Sequence, residues 1–156
     1  MERTLILLKP DAVHRGLIGR ILTRFEEKGL KLVGLKLRRF PVKLIEQHYA
    51  AHRERPFYKA LVGFMSSDPV VAIALEGKNA IEVARLAIGA TDSKKALPGT
   101  IRGDFGMSFS NNLVHGSDGA LRRQRLDVAH AAAREERQDL PAQLARVAGR
   151  QRSSSL

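Results

Sequence analysis

Thr4-Leu5-Ile6-Leu7-Leu8-Lys9-Pro10 is a short apolar run closed by a proline. A run of this length before an X-Pro step suits a buried strand that stops at Pro10. Downstream, Leu17, Ile18, Ile21, Leu22 and Phe25 recur at helical spacing, with Arg20, Arg24, Glu26 and Glu27 on the other face. Gly29 marks the C-terminal cap. From Leu30 to Arg39 the pattern switches to period two, with Val33, Leu35 and Leu37 forming an apolar face, so a second strand is expected. Pro41 stops it.

Residues 42–51 and 57–65 read as two short helices broken at Arg55-Pro56. Val70–Leu75 is apolar and β-branched, a third strand. Asn79–Ile88 is a helix ended by Gly89, and residues 90–104 form a turn-rich loop. Phe105–Ser110 is expected as the fourth strand, with Phe105, Met107 and Phe109 on one face. The order β-α-β-α-α-β-α-β implies an α+β, ferredoxin-like (split βαβ) fold: a four-stranded antiparallel sheet with helices packed on it.

The chain has 156 residues, 44% hydrophobic, enough for one domain with a real core, which excludes a wholly disordered protein. It has no Cys, which excludes a disulfide framework, a thiolate zinc site and a cysteine nucleophile. The Leu5–Leu8 run is too short for a signal sequence or a membrane span, so a cytoplasmic protein with no membrane partner is expected. The net charge of +11 attracts polyanions such as nucleotides or nucleic acid. Charge quality changes along the chain. Residues 1–118 use nine Lys and ten Arg, whereas residues 119–156 use eight Arg, no Lys and no aromatic.

The chemistry concentrates in Asn111-Asn112-Leu113-Val114-His115-Gly116-Ser117-Asp118. Imidazole is a competent nucleophile at neutral pH and forms covalent intermediates. Gly116 would let a ligand approach the backbone, and Ser117 and Asp118 would orient a ring nitrogen or cap a helix. His14, His48, His52 and His130 lack such neighbours. Arg85, Thr91 and Arg102 supply guanidinium forks and a hydroxyl for phosphate oxygens, against the blander reading of surface charge. Lys9 ends the first strand and would reach into a cleft. Tyr49 and Phe57 would stack on a base, or simply fill the core. No P-loop and no GxGxxG is present, so side chains must hold any phosphate.

Together these segments resemble the nucleoside diphosphate kinase family. The likeness is carried by Lys9-Pro10-Asp11-Ala12-Val13, Arg15-Gly16-Leu17, His48-Tyr49, Arg55-Pro56-Phe57-Tyr58, Asp68-Pro69-Val70-Val71-Ala72, Pro98-Gly99-Thr100-Ile101-Arg102-Gly103-Asp104-Phe105 and Asn112–Asp118. It spans about residues 3–118. The resemblance implies a ping-pong enzyme in which His115 takes the γ-phosphoryl of a nucleoside triphosphate such as ATP and passes it to a nucleoside diphosphate, with low base selectivity. It further implies that Arg85, Thr91 and Arg102 hold phosphates and that Lys9 and Asn112 contact the ribose. Lys9 would also lie near the moving phosphoryl. Tyr49 would sit beside His115 and Phe57 would stack on the base. Mg²⁺ would ride on the nucleotide phosphates, with no protein metal site. A homo-tetramer or homo-hexamer is implied.

The likeness ends at Asp118. The family's imidazole-orienting Glu, eleven residues past the His, falls on Leu126, and the acidic position two past the Tyr is Ala51. Residues 119–140 are expected to form a C-terminal helix of aberrant sequence, and residues 141–156 a disordered Arg/Ser tail. An out-of-frame gene end and a genuine divergent tail both account for that composition. Reduced turnover with retained nucleotide binding is expected. The competing readings are a catalytically impaired nucleotide-binding homologue and a protein that binds nucleic acid non-specifically through its arginines.

Overall fold

The structure, a computed structural model, describes residues 1–119. The opening apolar run forms β1 (Glu2–Leu8), buried from Thr4 onward because it lies inside the sheet. Pro10 ends the strand and also begins α1 (Pro10–His14), a helix the sequence reading did not anticipate. Proline suits the first helical position, where its missing N–H is no loss. The amphipathic segment becomes α2 (Ile18–Glu27), which buries Ile21 and Phe25. Its end is a Schellman cap: Gly29 has φ +81°, its N–H donates to Glu26 O (2.8 Å), and the Leu30 N–H donates to Phe25 O (3.1 Å).

Next come β2 (Lys31–Arg38), α3 (Val42–His48), a 3₁₀ turn at Ala50–His52, α4 (Tyr58–Ser67), β3 (Val70–Gly77) and α5 (Ala80–Ile88). The strand order is β2-β3-β1-β4, every pairing antiparallel, with helices packed on the sheet. This is the expected ferredoxin-like arrangement. Ile6, Leu8, Ile21, Phe25, Ile73, Leu75, Ile101 and Val114 belong to one buried cluster between sheet and helices.

The fourth strand is a correction. Phe105–Ser110 does not form it. Ile101–Phe105 is α6, inside the stretch expected to be loop, and β4 is the short segment Val114–Gly116. Thr100 caps α6, its hydroxyl accepting the Gly103 N–H at 3.0 Å. Phe105 is buried with the Arg20 guanidinium 4.5 Å over its ring, while Met107 and Phe109 are exposed. The alternation of aromatics there reflects one core residue followed by two surface ones. The β2 stripe also differs from a core strand: Val33, Leu35 and Leu37 are 38%, 44% and 54% exposed on a sheet edge. The expected helix at 119–140 and the expected disorder of 141–156 lie outside the described residues, save Gly119.

Candidate active site

β4 carries His115 in register with Leu7 of β1, so the imidazole is anchored in the sheet rather than in the loop after a strand. Gly116 also packs under α5: a Cβ built there would lie 2.8 Å from Ile88 Cδ1, so a side chain would require the Ile88 methyl to shift. Ser117 is buried; its N–H donates to Leu5 O (3.0 Å) and its hydroxyl to Gly119 O (3.1 Å).

Two rings from the end of α3 flank His115. His48 lies 5.3 Å away centroid to centroid and Tyr49 5.8 Å, both edge-on. In the sequence His48 lacks the neighbours that mark His115, yet the fold brings it to His115. Its signal was adjacency to Tyr49 within the His-Tyr segment. His52 bridges Tyr49 (6.4 Å) and Phe57 (5.8 Å). Phe57 is 50% exposed at the head of α4, a surface platform and not a core ring. The Tyr49 hydroxyl is buried with no hydrogen-bond partner among the described residues, and burial pushes its pKa far up. It is therefore a neutral donor.

Lys9, at the end of β1, is buried and donates through Nζ to Asn112 Oδ1 at 2.7 Å. Asn112 Nδ2 in turn donates to Thr91 O at 2.9 Å. Burial, and then the Arg102 charge, lower the Lys9 pKa to about 8, with Asp11 opposing the fall. Lys9, Asn112 and Thr91 are thus brought together, with the Thr91 carbonyl rather than its hydroxyl making the contact.

Arg102, expected as a fork for phosphate, has backbone partners as well. In the structure Nε donates to Asn112 O (3.2 Å), Nη1 to Gly89 O (3.1 Å) and Nη2 to Val114 O (2.6 Å). Three of its five N–H groups fix the backbone on either side of Leu113 and the end of α5, leaving two for a ligand. Burial, and then the Arg85 charge, lower its pKa to about 10, so it stays charged at neutral pH. Arg85 is exposed on α5, its Cγ 3.9 Å from the same Gly116 Cβ position. A cavity of about 760 Å³ is lined by Arg85, Glu2, Glu82, Lys95 and Leu97 among others, but His115 is not one of its walls.

Sequence reading missed Asp11 altogether. Its Oδ2 accepts the Leu113 N–H at 3.1 Å, two residues before His115. The signal lay in the acid directly after Pro10, at the start of what is a helix.

A family model described as nucleoside diphosphate kinase matches residues 2–135, and so continues beyond Asp118. A nucleoside diphosphate kinase of Picosynechococcus sp. is 60% identical over 119 residues, 76% of this chain and 80% of that protein. One from Pelotomaculum thermopropionicum is 52% identical over 125 residues, 80% of this chain and 84% of its own length. Among solved structures, a halophilic nucleoside diphosphate kinase from Halobacterium salinarum in complex with CDP superposes with a TM-score of 0.77 at 47% identity, covering 81% of this chain and 86% of that one. The apo nucleoside diphosphate kinase of Encephalitozoon cuniculi gives 0.79 at 42% identity, covering 82% and 88%. With a matching family model over most of its length and relatives above half identity, the chain belongs to the nucleoside diphosphate kinase family.

Proposed function

We propose that this chain moves the γ-phosphoryl of a nucleoside triphosphate to a nucleoside diphosphate through a phosphohistidine at His115. The observation that carries the reading is a half-buried imidazole on β4, in ring contact with Tyr49, beside a strand that ends in the buried Lys9–Asn112 pair. An imidazole nitrogen attacks the γ-phosphorus in line, the bond to the β–γ bridging oxygen breaks, and the nucleoside diphosphate leaves. The acceptor's terminal phosphate oxygen then attacks the same phosphorus and frees the imidazole. Phosphoryl transfer asks the protein chiefly for positioning and charge neutralisation. Lys9 and the two spare N–H groups of Arg102 supply positive charge, with Arg85 at the rim. Tyr49 supplies a neutral donor, and Lys9 with Asn112 meets the ribose hydroxyls. Phe57 offers its exposed face to the base, which sets low base selectivity because every base stacks. The CDP held by the halophilic relative supports a nucleoside diphosphate as ligand.

Magnesium enters with the nucleotide. The cations beside the His115 turn, Lys9 and Arg102, suit phosphate oxygens, and the family likeness has Mg²⁺ carried on the nucleotide phosphates. No helix among the described residues is long and apolar enough to cross a membrane, and the reading is of a cytoplasmic enzyme. The exposed Val33-Leu35-Leu37 edge supports self-association into dimers from which a tetramer or hexamer is built.

Intact mass after incubation with Mg-ATP alone tests the reading. The expected result is a gain of one phosphoryl, lost on brief acid treatment, discharged by GDP and absent in His115→Ala. No gain in the parent protein overturns it, and salt-sensitive binding of single-stranded nucleic acid would then favour the competing reading.

A further inference from the structure

The chain just before His115 is bent in a way that its residues do not favour. Leu113 has φ +72°, in the left-handed region where a non-glycine residue is strained, yet its side chain is fully buried. The Val114 N–H folds back onto Asn112 O at 2.8 Å, closing a γ-turn. Strain of this kind persists only where the surroundings over-determine it. Here the Leu113 carbonyl accepts the Lys9 backbone N–H (2.8 Å), Arg102 grips the carbonyls of Asn112 and Val114, and Asp11 Oδ2 takes the Leu113 N–H (3.1 Å). Asp11 is the side-chain acceptor in that set, and it reaches across from α1.

The other Asp11 oxygen, Oδ1, is buried with no hydrogen-bond partner among the described residues. Its charge nevertheless has a counterpart. The charges that act on the Lys9 ammonium are Arg102 from α6, which opposes its proton, and Asp11 from α1, which favours it; the Asn112 amide is neutral. The carboxylate ties α1 to the turn that leads into His115.

We propose that Asp11 is a positioning residue for phosphoryl transfer, holding the strained Leu113 turn that sets His115 in β4. The proposal rests on the phosphohistidine reading above. The plain alternative is an acid in the first turn of α1, which stabilises that helix and nothing more.

Two variants separate these roles. Asp11→Ala removes acceptor and charge, and is expected to lower kcat about tenfold or more with KM changed by less than about threefold. Leu113 amide exchange should quicken about tenfold while amides of β3 stay protected. Asp11→Asn keeps an acceptor oxygen and loses the charge. It is expected to recover most of the kcat lost near pH 7 and to return Leu113 exchange toward the parent rate, because its amide oxygen still accepts the Leu113 N–H. A folded Asp11→Ala protein with unchanged kcat and unchanged Leu113 exchange overturns the proposal. So does an Asp11→Asn protein with quickened Leu113 exchange and parental kcat, which decides the matter if the alanine variant does not fold. Failure of the parent to form phosphohistidine would refute the reading of the reaction, and Leu113 exchange would still decide whether Asp11 holds the turn.

Discussion

The two edges of the sheet are built on opposite principles. β4 is three residues long, and its backbone is claimed by β1 on one side and by the Arg102 guanidinium at Val114. β2 is eight residues long, pairs with β3 alone among the described strands, and carries the exposed Val33, Leu35 and Leu37. An edge strand with exposed apolar side chains invites pairing unless something blunts it. The short edge thus gathers buried, hydrogen-bonded polar groups, and the long edge leaves apolar side chains exposed. Burial follows the same division, since Lys9, Arg102 and Asn112 are polar yet buried at the β4 end.

Arg102→Lys is the strongest test of the β4 side. A lysine cannot reach three carbonyls as a fork does, and carbonyls of Asn112, Gly89 and Val114 would lose their donors. Loss of about 3 kcal/mol in urea unfolding and of about a hundredfold in kcat is expected. A variant that loses activity at full stability would mean the fork serves the ligand alone.

Lys9→Met comes next and separates function from stability. The folded Lys9 pKa, about 8, lies below its ordinary value of 10.5. Between those values the unfolded chain binds the extra proton, so stability rises with pH from about 8 toward 10. Above pH 10 the raised Tyr49 pKa works the other way, because the unfolded phenol ionises first. At pH 7 the methionine variant should be more stable by about 2–3 kcal/mol. It should also be slower by about a hundredfold, since the ammonium no longer meets the phosphates. Urea midpoints at pH 7 and 9.5 check this: the parent should gain between them and the variant should not.

Leu35→Lys with Leu37→Lys addresses the β2 side and should have the smallest effect on chemistry. The expected outcome is a smaller assembly by light scattering, with phosphoenzyme formation changed by less than about twofold. An unchanged mass would show that this edge is not the joint, and a collapse of phosphorylation would show that the two edges are coupled.

What could be read from the residues tracks how far each signal extends. β1 announced itself because five consecutive residues are buried and Pro10 punctuates them. α2 was legible through two full turns of amphipathic pattern and a glycine in the left-handed region. β4 was not, because Val114-His115-Gly116 is too short to show any period, and the Phe105-Met107-Phe109 alternation offered a false one. α1 was hidden because Pro10 reads as a stop and a start alike. At the site, His115, Lys9, Tyr49 and Asn112 came from residue chemistry and family likeness. His48 and Asp11 act across the fold, and no local window contains their partners. Arg102 was found from its residue type, and its three backbone carbonyl partners were not, since a guanidinium suits a carbonyl as well as a phosphate.

The ties that cross from β1 and α1 to the His115 turn have a consequence in time. Lys9 reaches Asn112 across 103 residues of chain, and Asp11 reaches Leu113 across 102. A ribosome emits residues in order, so β1, β2 and β3 are all present before either tie can close. Most of the sheet can thus assemble around a vacancy at its edge, and closing contacts over so long a separation is slow. The turn that carries His115 closes only after the other three strands have been made, and a chain cut short before Leu113 has those three strands and no His115.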